Sequence, residues 1–220
     1  MTGPGPVTAD GCAVEVYRRL PAMGEPELVD ALVRPRARIL DLGAGTGRIA
    51  DPLVELGHEV VAVDDSAEML AHVRRARPHR ARIEELDLGE RFDAVLLASH
   101  LVNTPDDGLR RALLAAARRH LADGGRLLLQ WHEPGWFDGL RPGTVAQGAI
   151  GGLSSRLEVH GIDDGVLAAT VSYSDGTSTW TQSFRALRLG IDRLEAELAA
   201  ARLVLDRVAP APGWLIAFAG

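Results

Sequence analysis

The chain has 220 residues, of which 46% are hydrophobic and 25% are charged, and this suits one globular domain with a sizeable core. The net charge is −6, with 24 arginines and no lysine, which argues against a nucleic-acid partner because phosphate binding needs a basic excess. The single cysteine excludes an internal disulfide, no Cys/His spacing indicates a metal site, and no stretch reaches the ~20 apolar residues of a membrane span. We therefore expect a cytoplasmic protein with no membrane or metal partner.

Two short helices are predicted before the first strand. Residues 1–10 have neither a basic end nor an apolar stretch, so we expect a loose arm and not a signal peptide. Cys12–Leu20 and Glu25–Arg34 have helical patterns, with a proline and a glycine between them. We interpret residues 1–35 as a cap, in which Tyr17 either contacts a substrate or is a packing aromatic.

A strand, a glycine-rich turn and a helix are predicted from Arg38 to Ala50. The run Ile39-Leu40 is β-prone, and apolar residues recur at helical spacing from Ile49 onward. Glycines at 43, 45 and 47 allow the backbone to bend sharply and to approach a ligand closely. The start of the next helix offers N–H groups to an anionic part of that ligand.

Asp41, just before the glycines, indicates which ligand this turn binds. A carboxylate there repels a pyrophosphate and attracts a cation, so the ligand should carry an α-amino acid, with its carboxylate toward Arg48. S-adenosylmethionine fits that description. The dinucleotide fingerprint also fails at its last position, where Arg48 replaces a small residue, so a nicotinamide-dependent oxidoreductase is disfavoured.

Strands and helices alternate over residues 36–131, which predicts a doubly wound parallel sheet. Asp64, at the end of the second strand, is placed to accept both hydroxyls of a ribose, although a cap or turn role is the alternative. The predicted strands after the first are Glu59–Asp64, His79–Glu84, Phe92–Ser99 and Arg126–Trp131, and the predicted helices are Ser66–Arg77 and Asp107–Gly124.

The pattern changes over residues 132–188. A loop from Pro134 to Gly143 precedes three β-like runs joined by Asp/Gly turns, which predicts an antiparallel lobe inserted after strand five. We expect this lobe to act either as a lid or as a dimer surface. Residues 189–220 are predicted to add a helix, Ile191–Ala201, and two last strands, Leu203–Val208 and Trp214–Ala219.

Three motifs in this order resemble the class I S-adenosylmethionine-dependent methyltransferases, in the small-molecule, methyltransferase-25-like group. They are I-L-D-L-G-A-G-T-G-R, G-H-E-V-V-A-V-D-D-S-A-E-M-L and R-F-D-A-V-L-L-A-S-H-L-V-N. The resemblance covers about residues 17–131. It implies a seven-stranded, mostly parallel sheet whose last strand is antiparallel.

The resemblance also implies a cofactor site. Its residues surround the methionine moiety, the ribose and the adenine, and are Asp41, Gly43, Ala44, Gly45, Arg48, Asp64, Asp65, Met69, Ile83, Glu84 and Ser99. One departure concerns the end of strand three, where the family has an acid for the adenine amino group and this chain has Arg82. Glu84 is our candidate in its place.

Residues just past strands four and five should face the transferred methyl group. His132 and His100 are the candidates for a general base, with His132 preferred and a structural role as the alternative for each. We expect the rate to rise with pH through the histidine range. The candidate substrate contacts are Tyr17, Asn103, Trp131, Glu133, Trp136 and Trp180.

The favoured hypothesis is methyl transfer from S-adenosylmethionine to a nitrogen or oxygen of a small-molecule acceptor. A homodimer is the further expectation if the lobe is a dimer surface. The alternative is a non-catalytic sensor or scaffold that keeps the fold and the cofactor. Turnover with a panel of acceptors separates the two hypotheses.

Overall fold

A computed structural model describes residues 3–206 and 211–220. The first part of the chain forms the elements α1 Val14–Tyr17, α2 Glu25–Leu32, β1 Arg38–Leu42, α3 Ala50–Glu55, β2 Glu59–Asp64, α4 Ala67–Leu70, β3 Arg77–Arg80, β4 Phe92–Leu97, α5 Asp107–His120 and β5 Leu121–Gln130. The second part forms α6 Pro134–Asp138, β6 Val145–Ile150, β7 Leu153–Asp163, β8 Val166–Ser174, β9 Thr179–Leu187, α7 Ile191–Ala200, β10 Leu203–Asp206 and β11 Trp214–Ala219. The strand predicted at Leu203–Val208 therefore runs at its end into residues outside the described ones.

Seven strands form one sheet in the order β10-β11-β5-β4-β1-β2-β3. Only β11 runs antiparallel to its neighbours; the pairs from β5 through β3 are all parallel. Ile39 packs into the core on one face of this sheet and Leu40 into the core on the other, so both faces are covered. The predicted doubly wound sheet with an antiparallel last strand is confirmed.

The inserted lobe is an antiparallel sheet in the order β6-β7-β8-β9. It follows β5 as predicted, and Asp164 and Gly165, both with positive φ, form the turn between β7 and β8. The lobe has four strands, one more than predicted. β6 was missed because its sequence, V-A-Q-G-A-I, is rich in small residues.

Two predicted boundaries on the β2–β3 side are wrong. α4 ends at Leu70 because the Asp51 carboxylate accepts the backbone N–H groups of Arg74, Arg75 and Ala76 at 2.8–2.9 Å, which removes them from a helix. β3 lies earlier than predicted, with Asp64 paired to Arg80. Its proline is tolerated because β3 is an edge strand.

The glycines expected to end α5 instead lie inside β5. A Cβ on Gly125 would lie 2.9 Å from the Ala122 carbonyl oxygen and 3.0 Å from that of Phe92, so a larger residue would push β4 and β5 apart. Residues 134–138, predicted as loop, form α6 with a proline at its start.

The N-terminal segment is packed and not loose. Val7 pairs with Ala13 in an antiparallel bridge, the Trp180 indole N–H donates to the Pro4 carbonyl at 3.0 Å, and Gly3 lies against the Trp180 ring. Residues 3–13 of the cap, called the arm from here on, therefore connect the rest of the cap to the lobe. In the described part of the chain, no helix combines the length and apolar character that crossing a membrane requires.

Candidate active site

The glycine-rich turn joins β1 to α3 at the carboxyl edge of the sheet. Gly43, Gly45 and Gly47 have φ of +77°, +56° and +83°, which favour glycine at each position. The N–H groups of Gly43 and Ala44 both donate to the Val63 carbonyl at 2.9 Å, so the turn is fixed to the end of β2. A Cβ on Gly45 would meet no atom within 4 Å, which leaves open space in front of the turn.

Asp41 is 2% exposed, and no described group donates a hydrogen bond to its carboxylate. Burial raises its pKa to about 7, against a smaller lowering by Arg48, and Asp64 adds to the increase. A buried acid without a donor is unusual in a folded protein. That a cationic group of a ligand binds here stays a prediction.

Asp64 lies at the end of β2 and contacts the turn directly. Its Oδ2 accepts the Gly45 N–H at 2.9 Å and its Oδ1 accepts the Ser66 N–H at 3.0 Å. Burial raises the pKa of Asp64, and the charges of Asp65 and Asp10 act in the same direction. Each oxygen of Asp64 keeps acceptor capacity, so the carboxylate can still receive a pair of hydroxyls.

Arg48 is placed differently from the prediction. Its guanidinium donates to the buried Glu25 carboxylate at 2.6 Å and to the Pro21 carbonyl at 3.4 Å. Burial alone would raise the pKa of Glu25, but the Arg48 contact and the Met23 N–H hold it below its usual range. Arg48 is thus already neutralised by Glu25, a partner 23 residues away that local sequence did not indicate.

Met69, Ile83 and Glu84 are the residues expected near the adenine. Met69 is 3% exposed and packs with Cys12 and Val14 of the arm and cap. Ile83 and Glu84 lie in a short 3-10 helix, and Glu84 accepts hydrogen bonds from Arg82 at 2.5 and 2.8 Å. The proposed adenine acid is therefore engaged by the arginine that departs from the family pattern.

Ser99 and His100 follow β4 with left-handed backbones, φ +55° and +59°. Two consecutive non-glycine residues in this region carry strain, which persists only where the surroundings impose it. The Gln130 side chain accepts the Ser99 N–H at 2.8 Å from the end of β5. The strain was not readable from local sequence, because neither residue is a glycine.

Three rings are stacked at the ends of β4 and β5. The centroids of His100 and His132 are 3.6 Å apart with 13° between the ring planes, and His132 stacks on Trp136 at 3.9 Å and 13°. Burial lowers the pKa of His100 to about 4 and that of His132 to about 3. Both rings are then neutral throughout the usual histidine range, and these pKa values argue against the expected rise in rate there.

Asn103 and Glu133 bind backbone groups in this structure. Asn103 is 1% exposed, donates to the carbonyls of His132 and Leu187 at 3.2 and 3.0 Å, and accepts the His132 N–H at 2.8 Å. Glu133 accepts the Gly213 N–H at 2.6 Å. The predicted role of Asn103 as a substrate contact is replaced by one in fixing the backbone of His132 between sheet and lobe.

Of the three predicted tryptophans, only Trp136 borders open space. Trp131 is 6% exposed in the main core, and Trp180 is 2% exposed in the cluster that joins the cap to the lobe. Trp136 is 37% exposed and covers the outer face of His132. The first two predictions are wrong because both side chains are used in packing.

Tyr17 belongs to a closed ring of hydrogen bonds. Its hydroxyl donates to the Gln182 side-chain oxygen at 3.2 Å, the Gln182 amide donates to the Cys12 sulfur at 2.9 Å, and the Cys12 thiol donates to the Tyr17 oxygen at 3.3 Å. Burial raises the pKa of Cys12 to about 11. The Tyr17 side chain therefore connects cap and lobe, while its carbonyl accepts from Thr46 in the turn at 3.1 Å.

Residues 39–125 match the family model described as a methyltransferase domain. An uncharacterized methyltransferase of Mycobacterium tuberculosis is 42% identical over 130 residues, which are 56% of this chain and 51% of that protein. The Streptomyces fradiae dTDP-3-amino-3,6-dideoxy-alpha-D-glucopyranose N,N-dimethyltransferase is 33% identical over 158 residues, 59% of this chain and 60% of that protein. The chain spans about half the length of the first curated relatives it matches.

A solved structure agrees over almost the whole chain. The sugar N-methyltransferase KedS8 from a Streptoalloteichus species has a TM-score of 0.74 and 26% identity, covering 99% of this chain and 98% of its own. The resemblance drawn from the three sequence motifs is confirmed, and the inserted lobe is part of the shared architecture.

Proposed function

Residues 39–125 match a family model described as a methyltransferase domain, and from this similarity we propose that the chain transfers a methyl group from S-adenosylmethionine to an amino group of a small, sugar-like acceptor. The observation that carries the proposal is the pair of acids on neighbouring strands, Asp41 on β1 and Asp64 on β2, on either side of the glycine turn. Asp41, to which no described group donates, suits an ammonium, and Asp64 keeps acceptor capacity for a pair of hydroxyls. S-adenosylmethionine carries both.

The residues present fit this cofactor. Asp41 suits its α-ammonium, because a buried carboxylate without a donor is stabilised by a cationic partner. The open space in front of Gly45 admits its backbone, and Asp64 faces the same turn for its ribose. When bound, the cofactor supplies a methyl carbon activated by a sulfonium.

The remaining chemistry belongs to the chain's own side chains. His132 leaves the end of β5 as a neutral ring, fixed by Asn103 through its backbone and by Trp136 and His100 on its two faces. In this proposal it accepts a hydrogen bond from the acceptor amine, directs the nitrogen lone pair toward the methyl carbon and takes the proton that the amine loses. Trp136, half-exposed beside it, forms one wall for the acceptor.

An amine is favoured over a hydroxyl for two reasons. The relatives named as N-methyltransferases match 59% and 69% of this chain, whereas those named as ubiquinone biosynthesis O-methyltransferases match 33–45% of it. A ring whose pKa is about 3 is also a weak base, and a neutral amine needs less help to react than an alcohol does. Transfer to oxygen is the alternative outcome of the test.

The test is turnover, measured as S-adenosylhomocysteine release, with a panel of nucleotide-activated amino sugars and the corresponding hydroxyl sugars. We expect product with at least one amino sugar and a slower rate, or none, with its hydroxyl counterpart. Binding of S-adenosylhomocysteine without turnover of any acceptor in the panel would favour the non-catalytic sensor instead.

A further inference from the structure

The helix α6 carries Trp136, the ring that covers the outer face of His132 at a centroid distance of 3.9 Å. This helix has only five residues, Pro134–Asp138, and so short a helix is not stable through its own hydrogen bonds. Its orientation is therefore set by contacts with the surrounding structure. Because Trp136 is also the proposed wall for the acceptor, those contacts determine the shape of the acceptor site.

One anchor of α6 is apolar. Phe137 is 3% exposed and packs with Val159, Leu167 and Ala186 of the lobe. Its ring meets that of Trp136 edge-on, with the centroids 4.9 Å apart and 90° between the planes. Apolar burial is not directional, so this contact holds the helix against the lobe without fixing the direction of its axis.

Arg188 supplies directional contacts at both ends of α6. It lies just after β9, and its guanidinium donates from Nε to the Pro134 carbonyl at 3.2 Å and from Nη2 to the Asp138 carboxylate at 2.5 Å. Its backbone N–H donates to the Gly165 carbonyl in the turn between β7 and β8 at 2.7 Å. Because a guanidinium is planar and its donors have a fixed geometry, bonds to the first and last residues of α6 define the axis of this helix relative to the lobe.

We infer that Arg188 is a positioning residue of the acceptor site, which holds α6 so that the Trp136 ring stays stacked on His132. This inference rests on the proposed function, in which Trp136 is a wall for the acceptor and His132 binds its amine. The side chains of Arg188 and Asp138 are 47% and 63% exposed, and an ion pair this exposed contributes little to overall stability. Its effect is therefore on the orientation of α6.

The first test measures how accessible the Trp136 ring is, by acrylamide quenching of tryptophan fluorescence in the full chain without ligand. Each variant is compared with the same variant carrying Trp136→Phe, so that the difference reports Trp136 alone. Arg188→Met keeps the length of the side chain and removes both bonds to α6, whereas Asp138→Ala removes one. Arg185→Met is the matched control, because Arg185 is an exposed arginine of β9 with no hydrogen bond or ion pair to α6 in the described part of the chain.

The Trp136 ring is only 37% exposed in place, so its release should raise the quenching constant. We expect a rise toward the value of a fully exposed ring in Arg188→Met, a smaller rise in Asp138→Ala and no change in Arg185→Met. Melting temperatures should stay close to that of the wild type in all three variants, which separates a moved helix from a general loss of structure. Unchanged quenching of Trp136 in Arg188→Met would overturn the inference.

The second test is steady-state turnover with an amino sugar that the wild type methylates. Arg188→Met should raise the acceptor KM roughly 2- to 5-fold, the range expected for one exposed ion pair, and leave the affinity for S-adenosylhomocysteine unchanged. Equal losses for acceptor and cofactor would contradict a role confined to the acceptor site. If the wild type methylates no amino sugar, the proposed function fails, and the quenching comparison alone decides whether Arg188 positions Trp136.

Discussion

The carboxylate of Asp64, at the end of β2, accepts the backbone N–H of Gly45 at 2.9 Å, in the middle of the glycine turn after β1. One side chain therefore both shapes the turn and faces the ligand that the turn is proposed to hold. The second oxygen accepts the Ser66 N–H at the start of α4. The two roles can be separated by substitution.

Two substitutions of Asp64 should weaken cofactor binding to different extents. Asp64→Asn keeps an oxygen for the Gly45 N–H and loses the charge, whereas Asp64→Ala loses both. We expect Asp64→Ala to reduce S-adenosylmethionine affinity by ~1 to 3 kcal/mol, with Asp64→Asn in between. Calorimetry checks both values, and an unchanged affinity for Asp64→Ala would exclude the ribose assignment.

The stability of the ligand-free protein should fall with pH because of Asp41. The pKa of Asp41 is raised to about 7 in the folded protein, against roughly 3.9 in an unfolded chain. The folded state therefore holds this proton more tightly, and the stability it gives is present below about pH 4 and lost as pH rises to about 7. The expected loss is a few kcal/mol.

Asp41→Asn removes this titration and nearly preserves the shape of the side chain. The gain in melting temperature of Asp41→Asn over the wild type should be larger at pH 8 than at pH 5, because the wild type must bury a charge only at the higher pH. Other groups titrate in both proteins and cancel in this difference. Equal differences at the two pH values would show that Asp41 is not perturbed.

The hairpin between β6 and β7 should be fixed against the cap through one glycine. Gly151 and Gly152 both have positive φ, but a Cβ on Gly151 would lie 2.2 Å from the Arg19 carbonyl oxygen, while one on Gly152 meets nothing within 4 Å. Gly152→Ala should cost roughly 1 kcal/mol of stability and Gly151→Ala roughly 2 to 5 kcal/mol. Denaturant unfolding of the two variants gives the comparison. Similar losses for both would mean that lobe and cap do not pack as described.

His132 is expected to act on the chemical step. His132→Ala should lower kcat with little change in cofactor affinity, and by less than the ~10²- to 10⁴-fold typical of a general base, because a ring whose pKa is about 3 is a weak base. His100→Ala should lower kcat less than His132→Ala does. Because burial lowers the pKa of His132 to about 3, the wild-type kcat should stay flat from about pH 5.5 to 8. An inflection near pH 6.5 that disappears in His132→Ala would contradict this pKa.

The local sequence predicts correctly those elements whose structure depends on neighbouring residues of the chain. The predicted bounds of β2 and β11 match the structure, and the glycine turn with Asp41 and Asp64 lies where the motif placed it. Each depends on a short pattern of apolar residues, glycines and an acid. Such patterns are complete within a few residues of the chain.

Three differences from the predicted structure depend on distant partners. α4 is cut short by the Asp51 carboxylate, and Arg48 is neutralised by Glu25 of the cap. Trp180 is buried by the arm, which was predicted to be loose. In each case a side chain meets a group more than 20 residues away, and no local propensity contains that information.

The crevice between the ends of β1, β2 and β4 is the proposed binding site of S-adenosylmethionine. The most direct measurement is calorimetric titration of the full chain with S-adenosylhomocysteine, with NADH as the competing ligand class. We expect saturable binding of one S-adenosylhomocysteine per chain, strongly weakened by Asp64→Ala, and no binding of NADH. Binding of NADH, or S-adenosylhomocysteine binding that Asp64→Ala leaves unchanged, would contradict it.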